Sequence, residues 1–249
     1  MATRGEIETC LNTLLDVGRF RDYGPNGLQV EGKPEVHRIV SGVTASRALI
    51  EAAVDAQADA ILVHHGLFWK GHDGRVTGWL KQRLELLLAH QINLFAYHLP
   101  LDAHAELGNN AQFGAQFQWR ADAHFGEQDL GFIGMTVQPM TLPELSAALA
   151  LKLRREPTVV AGDGRPLRRI AWCTGGAQGY FEAAIAAGAD AYVTGEISEP
   201  QAHYARESGV AFFACGHHAS ERFGAPALAQ HLALKFGLDH RFIEIDNPA

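Results

Sequence analysis

Apolar positions near the start of the chain recur at helical spacing. Ile7, Cys10, Leu11, Leu14 and Leu15 fall on one face and predict a helix over 6–17. Gly24-Pro25-Asn26-Gly27 breaks that pattern with turn chemistry. Beyond it, unbroken apolar runs at 38–43, 60–63 and 94–97 predict buried strands, with helices over 46–57 and 79–90 between them. Strands alternating with helices of this length predict βαβ units and a largely parallel sheet.

The pattern then starts again. A strand is predicted over 131–137. Thr141-Leu142-Pro143-Glu144 is a capping-box signature opening a helix to about residue 155. Short strands follow at 158–161 and 169–173. One constant offset carries Arg38-Ile39 onto Arg169-Ile170, Glu51-Ala52-Ala53-Val54 onto Glu182-Ala183-Ala184-Ile185, and Ala58-Asp59-Ala60 onto Ala189-Asp190-Ala191. The same offset carries Ile61-Leu62-Val63 onto Tyr192-Val193-Thr194, with no gap. Charged and turn residues take part in the match, which argues against a chance likeness of Ala-rich helices. The expected fold class is α/β, with two related α/β domains, largely parallel sheets and a metal site in the cleft between them. The expected domains are 1–125 and 126–249, with a C-terminal part from about 210 returning His217 and Glu221 to the shared site.

Composition narrows the function. Of 249 residues, 47% are hydrophobic and 20% charged, ordinary for a soluble globular protein. No apolar run reaches membrane-span length, and no signal-peptide core follows Met1. Three cysteines form no C-x-x-C pair, which suits a reducing cytoplasm. The net charge of −7 removes the main driving force for nucleic-acid binding. Histidines number 13 against those three cysteines, so the ligands of any transition metal are expected to be nitrogen and oxygen.

The chemistry gathers at strand ends, where parallel α/β sheets bind ligands. The strand at 61–63 runs into His64-His65-Gly66, and its repeat partner into Gly195-Glu196. The strand at 94–97 runs into His98-x-x-x-Asp102, and the one at 210–215 into His217-x-x-x-Glu221. Imidazole with carboxylate suits Zn, Mn, Fe, Co or Ni. Two carboxylates and several histidines exceed the needs of one structural zinc. They match two divalent ions roughly 3.5–4 Å apart. Adjacent strand residues face opposite ways, so His64 and His65 reach one cluster only if the strand has ended, a turn that Gly66 permits.

Other candidates read more plainly. His98 either ligates or orients a ligand, and Glu196 ranks first as a partner to a ligand. His37, His72, His90, His124, His203 and His240 are expected to be solvated, and His104 to lack a partner. Cys173 and Cys215 read as buried small residues. The Thr174-Gly175-Gly176-Ala177-Gln178-Gly179 turn lacks a phosphate-loop Lys and reads first as a tight turn that packs a helix.

The segments Tyr23–Gly32, Val63–Lys70, His98–Asn110, Thr194–Glu196 and Gly216–Glu221 together resemble the NGG-interacting-factor-three-like family, over nearly the whole chain. Bacterial members of that family carry the name GTP cyclohydrolase 1 type 2 homologue. The resemblance implies two α/β domains, a dinuclear metal centre and a ring-shaped homohexamer. Matched by motif, it gives metal roles to His64, His65, Asp102, His217 and Glu221. It assigns no catalytic residue. The expected function is a dinuclear-metal-dependent hydrolase acting on a small, nucleotide-like substrate. The alternative is a non-catalytic metal-binding regulatory or interaction protein that forms a ring oligomer.

Overall fold

A computed structural model describes all residues, Met1–Ala249. The chain divides into two compact units. The first comprises Met1–Gly108 with Gly224–Asp246, and the second Asn109–Phe223 with Asn247–Ala249. These limits differ from the 125/126 boundary expected from sequence, and the C-terminal segment belongs to the first unit. The reason lies in packing. The Gly224–Phe236 helix buries Ala225, Leu228, Ala229 and Leu232 against Ile39, Leu62 and Phe95 of the first sheet. The following Asp239–Phe242 strand pairs in parallel with Arg38–Thr44. His217 and Glu221 precede that return and stay with the second unit.

The first sheet has five strands. Asp239–Phe242, Arg38–Thr44, Ala60–His65 and Asn93–Ala96 run parallel in that order, and Gly27–Val30 adds antiparallel at the edge. Alternate residues enter different cores. Ile39, Leu62 and Phe95 face the N-terminal and C-terminal helices, while Val40, Ile61, Val63 and Leu94 face the Arg47–Asp55 and Gly78–Ala89 helices. Burial on both faces explains why these strands read as continuous apolar runs. The Arg4–Leu14 helix opens with a capping box, in which Thr3 and Glu6 bond each other's backbone.

The second sheet has six strands in the order Arg120–Phe125, Gly131–Met140, Leu167–Trp172, Ala191–Thr194, Ala211–Ala214 and Thr158–Val160. The Leu167–Trp172, Ala191–Thr194 and Ala211–Ala214 strands are parallel, and the flanking strands antiparallel. Thr141 and Glu144 form the expected capping box on the Leu142–Leu153 helix. One face carries Trp172, Val193 and Phe213 in a core with Leu145 and Leu149. The other carries Tyr192 and Phe212, whose rings contact each other and that of Phe181 from the Phe181–Ala186 helix.

The repeat is physical. Ile39 pairs with Ala60 and Val40 with Ile61. At the same offset, Ile170 pairs with Ala191 and Ala171 with Tyr192. Asp59 accepts the backbone amides of His37 and Arg38, and Asp190 those of Arg168 and Arg169. Each aspartate clasps the start of the neighbouring strand, so the Ala-Asp-Ala motif recurs for a structural reason. No helix is long and apolar enough to cross a membrane.

Candidate metal centre

In the first unit, the strand runs through both His64 and His65, contrary to the expectation that it ends before them. The last ladder pair joins Thr44 to His65, yet the two imidazoles lie with centroids 4.5 Å apart. Each ring is held at Nδ1. His64 is fully buried and donates to the Tyr97 carbonyl at 3.0 Å. A carbonyl brings no proton, so the ring proton sits on Nδ1 and Nε2 carries the lone pair. His65 Nδ1 pairs with Thr44 Oγ1 at 3.1 Å. Gly66 does not act as a turn. A Cβ there would lie 2.2 Å from Gln29 Oε1, and that oxygen accepts the Leu67 amide. Glycine leaves room for the Gln29 amide.

His98 and Asp102 come from the next strand end. Pro100 starts the short Leu99–Ala103 helix, which buries Asp102. His64 Nε2 lies 3.5 Å from Asp102 Oδ1. His64, His65 and His98 each offer a ring nitrogen, all within 4.8 Å of one another. His98 thus stands among the candidate ligands. Its Nδ1 donates to Asp22 Oδ1 at 2.7 Å. Asp22 is a residue the sequence reading missed. It also accepts the Leu99 amide and the Asn26 side chain, while Asn26 accepts the His98 amide. Burial would raise the Asp22 carboxyl, but the bond and charge of His98, with Asn26 and the Tyr23 amide, outweigh it and hold the group at about 2. The 22–32 segment, through Asp22, Asn26 and Gln29, therefore frames the chain around His65 and His98.

In the second unit, Gly216 precedes the short His217–Ser220 helix. His217 Nδ1 lies 2.6 Å from Glu196 Oε1, and Nε2 lies 3.4 Å from Glu221 Oε2. Glu221 is buried at 3% exposure. The Glu221 hydrogen bond leads the causes that raise the His217 pKa to about 9, burial opposing and Glu196 adding. Glu196 thus braces the His217 ring through Nδ1. The glycine-rich turn meets the Glu221 carboxylate. Gly175 adopts φ +72°, donates to Ser220 Oγ at 2.9 Å, and would place a Cβ 2.1 Å from Glu221 Oε1. The turn exists to admit the glutamate.

Other histidines depart from expectation. His104 Nδ1 accepts the amides of Glu106 and Leu107, and burial lowers its pKa. His240 is half-buried against Ser41 Oγ at 2.9 Å, and burial lowers its pKa too. Cys215 is fully buried, and burial pushes its thiol up, the environment of a packed small residue.

A family profile described as Duf34/NIF3 (NGG1p interacting factor 3) matches residues 2–248. The chain belongs to the Duf34/NIF3 family. A Pseudomonas aeruginosa relative named "GTP cyclohydrolase 1 type 2 homolog" is 52% identical over 238 residues, covering 94% of each chain. A Neisseria meningitidis relative of the same name is 50% identical over 249 residues, covering 100% of each. Among solved structures, protein ybgI, of unknown function, superposes with a TM-score of 0.96 at 46% identity, covering 99% of this chain and 100% of its own. TTHA1606 from Thermus thermophilus superposes at 0.91 and 32% identity, with 99% and 100% covered. The Duf34/NIF3 assignment agrees with the α/β architecture of both units.

Proposed function

We propose that this protein is a dinuclear-metal-dependent hydrolase acting on a small, nucleotide-like substrate. His64, His65, Asp102, His217 and Glu221 would hold two divalent ions, and His98 would add a further nitrogen. One observation carries the reading. His64, His98 and His217 each spend Nδ1 on an oxygen that fixes the ring, and His65 pairs its Nδ1 with a hydroxyl. That arrangement sets Nε2 as the donor, the pattern of an imidazole built to ligate. Carboxylate oxygens lie 3.4–3.5 Å from Nε2 of His217 and His64. This N/O donor set fits Zn, Mn, Fe, Co or Ni. Such ions supply Lewis acidity and bring the pKa of coordinated water toward neutrality.

The chain's own residues do the rest. Tyr97 O, Asp22 and Glu196 lock the tautomers. Asp102 and Glu221 bring negative charge that offsets two dications. The names of the relatives favour a purine ring system as the substrate. The same reading includes a homohexamer and a cytoplasmic location, the latter supported by three unbridged cysteines.

The test loads full-length protein with zinc or manganese, counts metal per chain, and assays GTP and a phosphoester panel. Turnover abolished in a His64→Ala, Glu221→Ala double variant supports the reading. A loaded protein that turns over none of these, but loses its assembly on chelation, is a metal-stabilised interaction protein instead.

A further inference from the structure

Two aromatic side chains flank the imidazole cluster of the first unit without belonging to its core. Trp69 is half-buried, with its ring centroid 5.1 Å from that of His98 and 5.9 Å from that of His65. Tyr23 lies 6.2 Å from His98, edge-on, and stays 60% exposed. His98 thus has an aromatic ring in contact on two accounts, and neither ring enters either hydrophobic core of that unit.

The two rings are held by backbone. The Lys70 amide donates to the Tyr23 carbonyl at 2.6 Å. The Tyr23 amide donates to Asp22 Oδ1, the same oxygen that fixes His98. At Gly24, a Cβ would meet the Phe68 carbonyl at 2.5 Å, so glycine lets the two loops close on each other. The result is a pair of aromatics whose backbone is tied, through Asp22, to a candidate ligand. A large exposed aromatic fixed at low entropy cost beside a polar cluster is what stacking of a planar ring requires.

We infer that Tyr23 and Trp69 form a stacking wall for the planar, purine-sized heteroaromatic ring of the substrate. The inference rests on the metal-centre reading above and assigns the two residues a role in substrate positioning and specificity. Stacking of one base on an aromatic side chain corresponds to about a ten- to hundredfold change in affinity.

Full-length, zinc-loaded protein is titrated with guanosine monophosphate, adenosine monophosphate and ribose 5-phosphate, followed by calorimetry and tryptophan emission. Both nucleotides should bind about tenfold or more tightly than the ringless phosphate and quench emission. Trp69→Leu and Tyr23→Leu should each lower nucleotide affinity by about tenfold or more. Both should leave ribose 5-phosphate binding and zinc content unchanged, and Trp69→Phe and Tyr23→Phe should restore most of the loss. Equal binding of nucleotides and ribose phosphate overturns the inference. So does unchanged nucleotide affinity in the leucine variants, including the case where only the oligomeric state shifts. Failure of the metal reading looks different: the wild type then retains no zinc, and the same titrations on that protein still decide whether the wall binds rings.

Discussion

Gly175→Ala tests whether the glycine-rich turn of the second unit exists for Glu221. The residue sits at φ +72°, where an L side chain costs about 1–2 kcal/mol. The added Cβ would stand 2.1 Å from Glu221 Oε1, against an ordinary contact of 3.4 Å or more. The carboxylate must therefore retreat by about 1.3 Å. It has little room, being 3% exposed and placed 3.4 Å from His217 Nε2. Metal–ligand distances tolerate only about 0.2 Å. Even loss of a group that merely orients a ligand costs about 10–100-fold in metal affinity, so displacing a ligand should cost at least that. The matched control is Gly164→Ala, at φ +83° with nothing within 4 Å of its Cβ. It carries the backbone penalty alone. Urea unfolding of metal-free protein and chelator competition on the loaded form separate the two effects. Both variants should lose stability, and only Gly175→Ala should lose metal. Metal held by Gly175→Ala as tightly as by wild type would refute the placement of Glu221 as a ligand.

Three further outcomes follow from the geometry. Glu196→Gln should weaken metal binding about 10–100-fold, since it removes the charge that orients His217 through Nδ1; competition with a chromophoric chelator measures it. In metal-free protein, Glu221 first and Glu196 with it raise the His217 pKa to about 9, so a proton competes for the nitrogen proposed to bind metal. Stability contributed by that raised pKa is fully present below about 6.5 and disappears as pH rises through about 9. Metal affinity should conversely climb with pH up to about 9 and then level, which a pH series of binding isotherms checks. Asp59→Asn should destabilise by about 1–3 kcal/mol. Burial pushes that carboxyl up, but Lys33 and the amides of His37 and Arg38 outweigh it and keep it low. Its contribution is present above about 3.9 and lost as pH falls through the lower folded value, so the variant's acid-unfolding curve should be flatter.

The central parallel strands Arg38–Thr44, Ala60–His65, Asn93–Ala96, Ala191–Thr194 and Ala211–Ala214 were legible because they are buried on both faces, which writes apolar runs into the chain. Gly27–Val30, Arg120–Phe125 and Asp239–Phe242 escaped, the last two because exposed residues interrupt or replace any apolar run. The capping box at Thr141 was legible because it is local. What escaped was relayed through side chains distant in sequence. Asp22 lies 76 positions from His98, in a segment that shows only turn chemistry, and nothing local marks it as the acceptor of that ring. Gly66 and Gly175 read as turn residues because a sequence displays their freedom and hides their neighbours. Their reason is close approach, to the Gln29 amide and the Glu221 carboxylate. The domain limit was misplaced for a similar cause. The Gly224–Phe236 helix looks like any amphipathic helix of the second half, and only its contacts with Ile39 and Phe95 assign it to the first.

The repeat shows how one scaffold came to hold two kinds of donor. The offset that superposes the strand ladders carries His65 onto Glu196 and Thr44 onto Gly175. In the first unit, the strand end supplies a histidine and the neighbouring strand supplies the hydroxyl that holds it. In the second, the same strand end supplies the acceptor, and the histidine it holds comes from the next strand over. The neighbouring position, relieved of a hydroxyl, becomes the glycine that admits Glu221. Backbone positions persist while the histidine and the group that braces it change places. This is why a repeat search finds the architecture readily and assigns the roles poorly. Role depends on which ring nitrogen meets which oxygen, a matter of a few ångströms that strand register alone leaves open.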